Sequence, residues 1–150
     1  VADAYPKEIT DAAIEVRTLA VERTFWEKVT ILHAEANRPP DKPTKLNYSR
    51  HYADTAALAT HEGGARALLD ADLRKRVVAF KEAFYRSSTT SFETAVPGTF
   101  KLLPGPAHMA HLEADYRRMQ REMYFGISLE WAAVLAALRE LEERINRLEG

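Results

Sequence analysis

Cysteine is absent from all 150 residues. That excludes a disulfide framework and any thiolate-ligated metal, and it suits an ordinary cytoplasmic protein. An excess of one charge is also missing, because 21 basic residues balance 22 acidic ones to a formal −1. A broad cationic surface for nonspecific nucleic-acid binding is therefore excluded, and any such contact must be local. Long apolar runs are lacking too. The longest span a few residues, far short of the roughly 20 that cross a bilayer, and no basic-then-apolar leader opens the chain. Neither a membrane span nor secretion is expected. The first residue is Val1 rather than Met, and Val1 to Ala20 offers no helix cap and one short apolar run, Ile14 to Ala20. This opening reads as the middle of a longer chain.

What is present is an apolar content of 46% in 150 residues, enough for one domain with a real core and too little for two. Five segments carry helical periodicity. In the first, about Glu22 to Asn37, Phe25, Val29, Leu32 and Ala36 recur at i, i+4, i+7 and i+11, one stripe facing a core. Pro39, Pro40 and Pro43 end it. The second runs from about Tyr48 to Thr60, with Ser49 as candidate N-cap and Gly63-Gly64 as closure. The third, about Ala65 to Tyr85, sets Leu69, Leu73, Val77, Phe80 and Phe84 on one face. The fourth, about Ala107 to Phe125, repeats the pattern with Met109, Leu112, Tyr116, Met119 and Met123; Gly126 stops it and Ser128 can cap the next. The fifth aligns Trp131, Val134, Leu135, Leu138, Leu141, Ile145 and Leu148 on one arc, with Glu140/Arg144 and Glu143/Arg147 as i, i+4 pairs. Between Arg86 and Pro106 the Ser/Thr cluster, Pro97-Gly98 and Pro104-Gly105-Pro106 exclude a helix, and Phe100 to Leu103 reads as a short strand or a packed apolar strap. The expected fold is mostly α: a compact bundle of about five helices with one long irregular loop, in which Phe25, Leu32, Val77, Phe80, Tyr116, Leu138 and Ile145 are buried together.

Two stretches are denser in polar chemistry than a generic bundle requires: Arg23-Thr24-Phe25-Trp26-Glu27-Lys28 with Leu32-His33, and Ser49-Arg50-His51-Tyr52 with Asp54. By helical spacing Lys28 lies at the border of the buried stripe, with Thr24 and Glu35 beside it, while Arg23 and Glu27 form an i, i+4 pair further round. From position alone Lys28 is a snorkelling border lysine and Arg50 with Asp54 a plain surface ion pair.

The run RTFWEKVTILHAEA followed by SRHYADTAAL is similar to the second-half signature of the AbiEii/AbiGii family of abortive-infection toxins. Weaker echoes follow in PGTFKLLP, in Asp115-Tyr116 with Met119, and in Ile145-Asn146, so the resemblance covers nearly the whole chain. It implies a nucleotidyltransferase resembling DNA polymerase β, in which a mixed α/β half carries a Gly-Ser turn and a DxD metal motif and a helical half packs across it. Residues 1–150 then form a single helical domain, the C-terminal part, without the metal-binding half. The resemblance places Lys28 and Asp54 in the active site, with Lys28 and Arg50 toward the nucleotide and Arg23, Glu27 and His51 as secondary members. Lys28 would be a point charge against the triphosphate; Asp54 would orient it or help deprotonate the acceptor hydroxyl. Mg2+ and an NTP are implied for the intact enzyme, no cofactor for this chain alone. The implied partners are a macromolecular acceptor, tRNA ends among the candidates, and a separate bacterial antitoxin that acts without tight complex formation.

One tempting match is rejected. Gly63-Gly64 followed by Asp70-Ala71-Asp72 mimics a glycine turn and DxD, but the surrounding residues form helix, where i and i+2 diverge by about 200°. Strand alternation is needed to bring both carboxylates to one metal pair. A helix-start acidic pair fits better. His108 and His111 lack a third ligand and His33 and His61 stand alone, so these four read as surface or core residues. Arg74-Lys75-Arg76 reads as a solvated helix face. Arg117, Arg118 and Arg121 lack the aromatic interleaving of a nucleic-acid groove. The competing function is a non-catalytic helical module that binds protein or nucleic acid.

Overall fold

The computed structural model describes residues 18–123 and 128–149; the Ile14 to Arg17 part of the opening apolar run and Gly126 lie outside them. Six α-helices follow one another: α1 (Val21–Ala36), α2 (Ser49–Thr60), α3 (Glu62–Leu69), α4 (Ala71–Tyr85), α5 (Pro106–Glu122) and α6 (Trp131–Asn146), with one turn of 3-10 helix at Phe92–Thr94 before α5. No strand occurs among the described residues.

The first helix is the axis of the bundle, in contact with α2, α3, α4 and the 3-10 turn. It is therefore buried on more than the one stripe its periodicity suggests: Trp26, Thr30, His33, Ala34 and Glu35 join Phe25, Val29 and Leu32. Trp26 is wholly enclosed and donates its indole N–H to the Ala67 carbonyl at 3.0 Å, joining α1 to α3. The last helix follows its sequence pattern closely, with Trp131, Val134, Leu138, Leu141 and Ile145 buried and packed chiefly on α2. Each fully enclosed aliphatic side chain there contributes roughly 1.5–3 kcal/mol.

Three expectations are corrected. The segment Ala65 to Tyr85 is two helices, because Asp70 (φ −99°, ψ 83°) ends α3 and caps α4, its carboxylate accepting the Leu73 N–H at 2.8 Å. The break turns α4 onto a different face. Val77 is buried and Leu73 and Val78 pack against the core, but Phe80, Phe84 and Leu69 are exposed, so Phe80 is not a member of the core. Arg74 is buried rather than solvated: its guanidinium lies 5.9 Å from the Trp26 ring centre and donates to the Glu149 carbonyl at 3.0 Å. Second, Gly63-Gly64 does not close α2 but lies inside α3. A Cβ on Gly64 would sit 2.0 Å from the Leu58 carbonyl oxygen and one on Gly63 2.2 Å from Val21 Cγ1, so the pair is needed for close approach of α3 to α2 and α1. Third, Ser49 is the first residue of α2, not its cap, and Ser128 does not cap α6, whose N-cap is Glu130. The Ser49 hydroxyl donates instead to Asp115 of α5 at 2.7 Å, and Asp115 also accepts the backbone N–H groups of Asn47 and Ser49, each at 3.1 Å. The start of α2 is thus capped from a helix more than sixty residues away in sequence.

The long connection between α4 and α5 is a strap rather than a strand. Phe92, Ala95, Phe100 and Leu102 insert into the core. The Asn146 side-chain amide holds Phe100 as a neighbouring strand would, accepting its N–H and donating to its carbonyl, both at 2.9 Å. His33 fixes the same strap from α1. Its Nδ1 accepts the Lys101 N–H at 3.1 Å, which leaves Nε2–H to donate to the Ser91 carbonyl and Thr94 hydroxyl. Burial holds this imidazole below its ordinary pKa, against the raising effect of the Ser91 bond, so it is a neutral core residue.

Candidate functional site

The rim position of Lys28 follows from its place between the buried Phe25/Val29 stripe of α1 and solvent. At that rim α2 crosses α1, and the two signature stretches meet. Lys28 Nζ donates to Asp54 Oδ2 at 2.6 Å and stands 3.2 Å from His51 Nδ1, one turn earlier on α2. The lysine side chain is 20% exposed and the aspartate 45%. A partly solvated pair of this kind adds only about 0–1 kcal/mol to stability.

His51 is buried, and burial, followed by the charges of Lys28 and Arg50, pushes its pKa down to about 4. It is neutral near pH 7. With an ammonium facing Nδ1, that nitrogen must be the acceptor, which assigns the proton to Nε2. The Tyr48 ring stands edge-on against the imidazole at 4.7 Å and 83°. Lys28 is accordingly held by a carboxylate and a neutral imidazole on one helix, a socket that orients a cation and leaves part of it open to water.

The remaining site residues from the sequence separate into those brought here and those engaged elsewhere. Arg50 is exposed on α2 beside His51; Asp54 pairs with Lys28 rather than with Arg50, which replaces the i, i+4 surface pair expected from spacing. Arg23 and Glu27 pair with each other at 3.1 Å one turn along α1, and the Arg23 guanidinium lies 5.4 Å from the Phe80 ring centre. Glu35 forms a forked ion pair with Arg38 rather than one with Lys28. On its far flank Asp54 borders a hollow of about 270 Å3 formed with Ala57, Tyr116 and Leu129.

Sequence reading missed three residues that shape this site. Tyr48 braces His51, Asp115 anchors the first turn of α2, and Lys81 of α4 adds positive potential at His51. The motif order showed only the Tyr48/His51 spacing of i, i+3 and, as an echo of the family resemblance, the Asp115-Tyr116 pair; that Asp115 and Lys81 reach α2 from distant segments leaves no local signal. Of the histidines set aside, His61 caps α3 by accepting the Gly63 N–H at 3.0 Å, while His108 is buried and His111 exposed. No group of three or more His, Asp or Glu side chains suited to a metal ion occurs among the described residues. Asp70 is committed to its capping bond and Asp72 lies in the first turn of α4, so these carboxylates do not fit the Mg2+ pair that nucleotidyl transfer uses. No helix among the described residues is long and apolar enough to cross a membrane.

Comparison with curated proteins and with solved structures returned no match. A family model does match: that of the AbiEii nucleotidyl transferase toxin of type IV toxin–antitoxin systems, over residues 2–139. The match spans both signature stretches, the strap, α5 and half of α6, and on that coverage the chain belongs to the AbiEii family of nucleotidyl transferase toxins.

Proposed function

We propose that residues 1–150 are the C-terminal helical part of a toxin that transfers a nucleotide from an NTP to a macromolecular acceptor, and that Lys28 and Asp54 belong to its active site. The observation that carries this is the open socket: a lysine held at 2.6 Å by Asp54 and at 3.2 Å by a neutral His51, yet in contact with water. The triphosphate of an NTP needs positive charge placed where the negative charge shifts during transfer, and an oriented ammonium supplies it without reorganisation. Asp54 orients that ammonium. Its partial exposure lets the same carboxylate face an acceptor hydroxyl and take its proton. His51 holds Lys28 through Nδ1 without competing for the charge. The metal-bearing carboxylates belong, in this reading, to a separate α/β half that covers this face. A separate antitoxin is in keeping with a toxin–antitoxin family; an acceptor of the tRNA-end class belongs to this reading by resemblance and not by geometry.

The test is made in the intact protein. Lys28→Ala and Asp54→Ala should each abolish toxicity and lower transfer at least about 100-fold, the scale of a lost charge-stabilising group, while leaving folded yield unchanged. Lys28→Arg should rescue poorly, because a planar fork replaces a point charge. The 150-residue chain alone should transfer nothing with any NTP and Mg2+. Full toxicity in both alanine variants would leave the helical binding module as the function.

A further inference from the structure

A cleft of about 490 Å3 opens beside the Lys28 socket, within the roughly 300–1,000 Å3 typical of small-ligand sites. Its floor is the outer face of α1, where Ile31 and Glu35 lie three and seven residues beyond Lys28 and so on the same side of the helix, about 5 and 10 Å further along the axis. One wall is the turn before α2, with Lys45 and Tyr48; the other is the last turn of α4, with Lys81 and Tyr85. Tyr48 also touches His51, so the cleft and the socket share a wall.

The two walls carry the same chemistry. The Lys45 ammonium lies 5.4 Å from the Tyr48 ring centre, and the Lys81 ammonium 4.8 Å from that of Tyr85. Neither lysine has a carboxylate within ion-pair distance among the described residues. Glu35, the one acidic residue of the lining, is occupied by Arg38. Tyr85 is 58% exposed and so does little for the core. Hydroxyl groups of Ser87, Thr89 and Thr90 complete the rim. Two lysines, two accessible aromatic rings and a set of hydroxyls around one cleft match a ligand that is at once anionic, flat and rich in hydrogen-bonding oxygen.

We propose that this cleft binds a nucleotide unit, its phosphate drawn to Lys45 and Lys81 and its base stacked on Tyr48 or Tyr85. A cation over an aromatic ring is held more weakly than one bonded to phosphate. An arriving phosphate therefore takes the ammonium groups and uncovers the rings for stacking, the pairing used by single-strand binding sites. The unit is supplied either by a free nucleotide or by the end of an RNA strand, whose ribose hydroxyls meet the Ser/Thr rim. The role of the cleft in transfer rests on the reading of Lys28 and Asp54 given above; its binding does not.

Fluorescence anisotropy of a labelled oligouridine of about four nucleotides, titrated with the 150-residue chain, reads the strand; competition by each unlabelled NTP reads the free nucleotide. Saturable binding of either that weakens with salt is expected. Tyr48→Ala and Tyr85→Ala should each weaken it about tenfold. Lys81→Gln should weaken it and flatten the salt dependence. Arg117→Gln, an exposed cation paired with Glu113 at 2.5 Å on α5, should leave it unchanged. Circular dichroism confirms the fold of each variant. Absence of binding by both probes at low salt, or binding by folded Tyr48→Ala and Lys81→Gln variants equal to the parent, overturns the proposal. Equal binding by tripolyphosphate that survives both tyrosine variants reduces the cleft to a patch for anions and also overturns it. Transfer assays separate the two readings. If the cleft fails to bind while Lys28→Ala abolishes activity, the active-site reading stands and the cleft falls. If the cleft binds while Lys28→Ala and Asp54→Ala remain active, the reverse holds.

Discussion

Replacing Asp115 by alanine should be among the most damaging polar substitutions in this protein, because one carboxylate satisfies the start of α2 from across the bundle. It accepts the Asn47 and Ser49 N–H groups at 3.1 Å, the Ser49 hydroxyl at 2.7 Å and Arg118 at 2.5 Å. Burial opposes its ionisation, but the Ser49, Arg118 and Asn47 bonds outweigh that and hold its carboxyl below the ordinary 3.8. In the Ala variant Ser49, fully buried, loses the partner of its amide and keeps for its hydroxyl only the weak Met119 sulfur acceptor at 3.2 Å, at about 1–3 kcal/mol for each group left unsatisfied. Asn47 is reached by water and loses less. It also sits at φ 60°, a left-handed conformation with little to hold it once its amide is released. The sum is about 3 kcal/mol, with a range of about 2–4. At this chain length that lowers Tm by about 6–12 °C. Urea unfolding followed by circular dichroism gives the free energy. Asp115→Asn, which keeps one acceptor oxygen, should cost about half as much, and Glu113→Ala, a half-buried residue of the same helix that faces only Arg117, less than about 0.5 kcal/mol. A cost below about 1 kcal/mol for Asp115→Ala, or equal costs for Asp115→Ala and Glu113→Ala, would refute the view that α2 is capped in trans.

Gly64→Ala should destabilise by about 2–4 kcal/mol, since its Cβ meets the Leu58 backbone 2.0 Å away and backbone cannot yield as a side chain does; a variant as stable as the parent in the same urea titration contradicts this. Asn146→Ala should cost about 1–3 kcal/mol by orphaning the Phe100 N–H and carbonyl, and hydrogen exchange at Phe100 should rise with it; unchanged protection there would show that the strap is held by its apolar side chains alone. Stability should also fall as pH drops from 6.5 toward 4. His51 is held neutral to about 4 in the fold, while the unfolded chain takes up the proton from 6.5 downward, so the loss begins below the unfolded value and levels off below the folded one. The interval from 6.5 to about 4 corresponds to at most about 3 kcal/mol, reduced by solvent screening to about 1–2 kcal/mol. His51→Gln should remove that component of the pH profile, and an identical profile in the variant would assign the loss to other groups.

The sequence by itself determined the class of fold and the existence of most elements. The 3.6-residue apolar period in α1, α2, α5 and α6, and the Pro/Gly breaks of the long connection, are local properties that act before any tertiary contact forms. The rim position of Lys28 was legible for the same reason, as was the resemblance that linked it to Asp54. Only the tertiary structure decided which face each helix uses and what each polar residue is for. The Leu69 to Phe84 pattern has a good helical period, yet Asp70 breaks it, and with α1 and the strap already filling the core the remaining turns bury Arg74 and Val77 and leave Phe80 and Phe84 outside. Gly63-Gly64 resembles a helix end in sequence and becomes a point of close helix approach, because the need for a missing Cβ arises only when Val21 and Leu58 arrive. Ser49 has the composition of a cap, but Asp115 takes that role from α5. Likewise Lys45, Tyr48, Lys81 and Tyr85 form one cleft from segments that share no motif. Periodicity reports the balance between one helix and water, whereas the identity of a buried polar partner depends on chain segments whose separation in sequence carries no signal of their meeting in space.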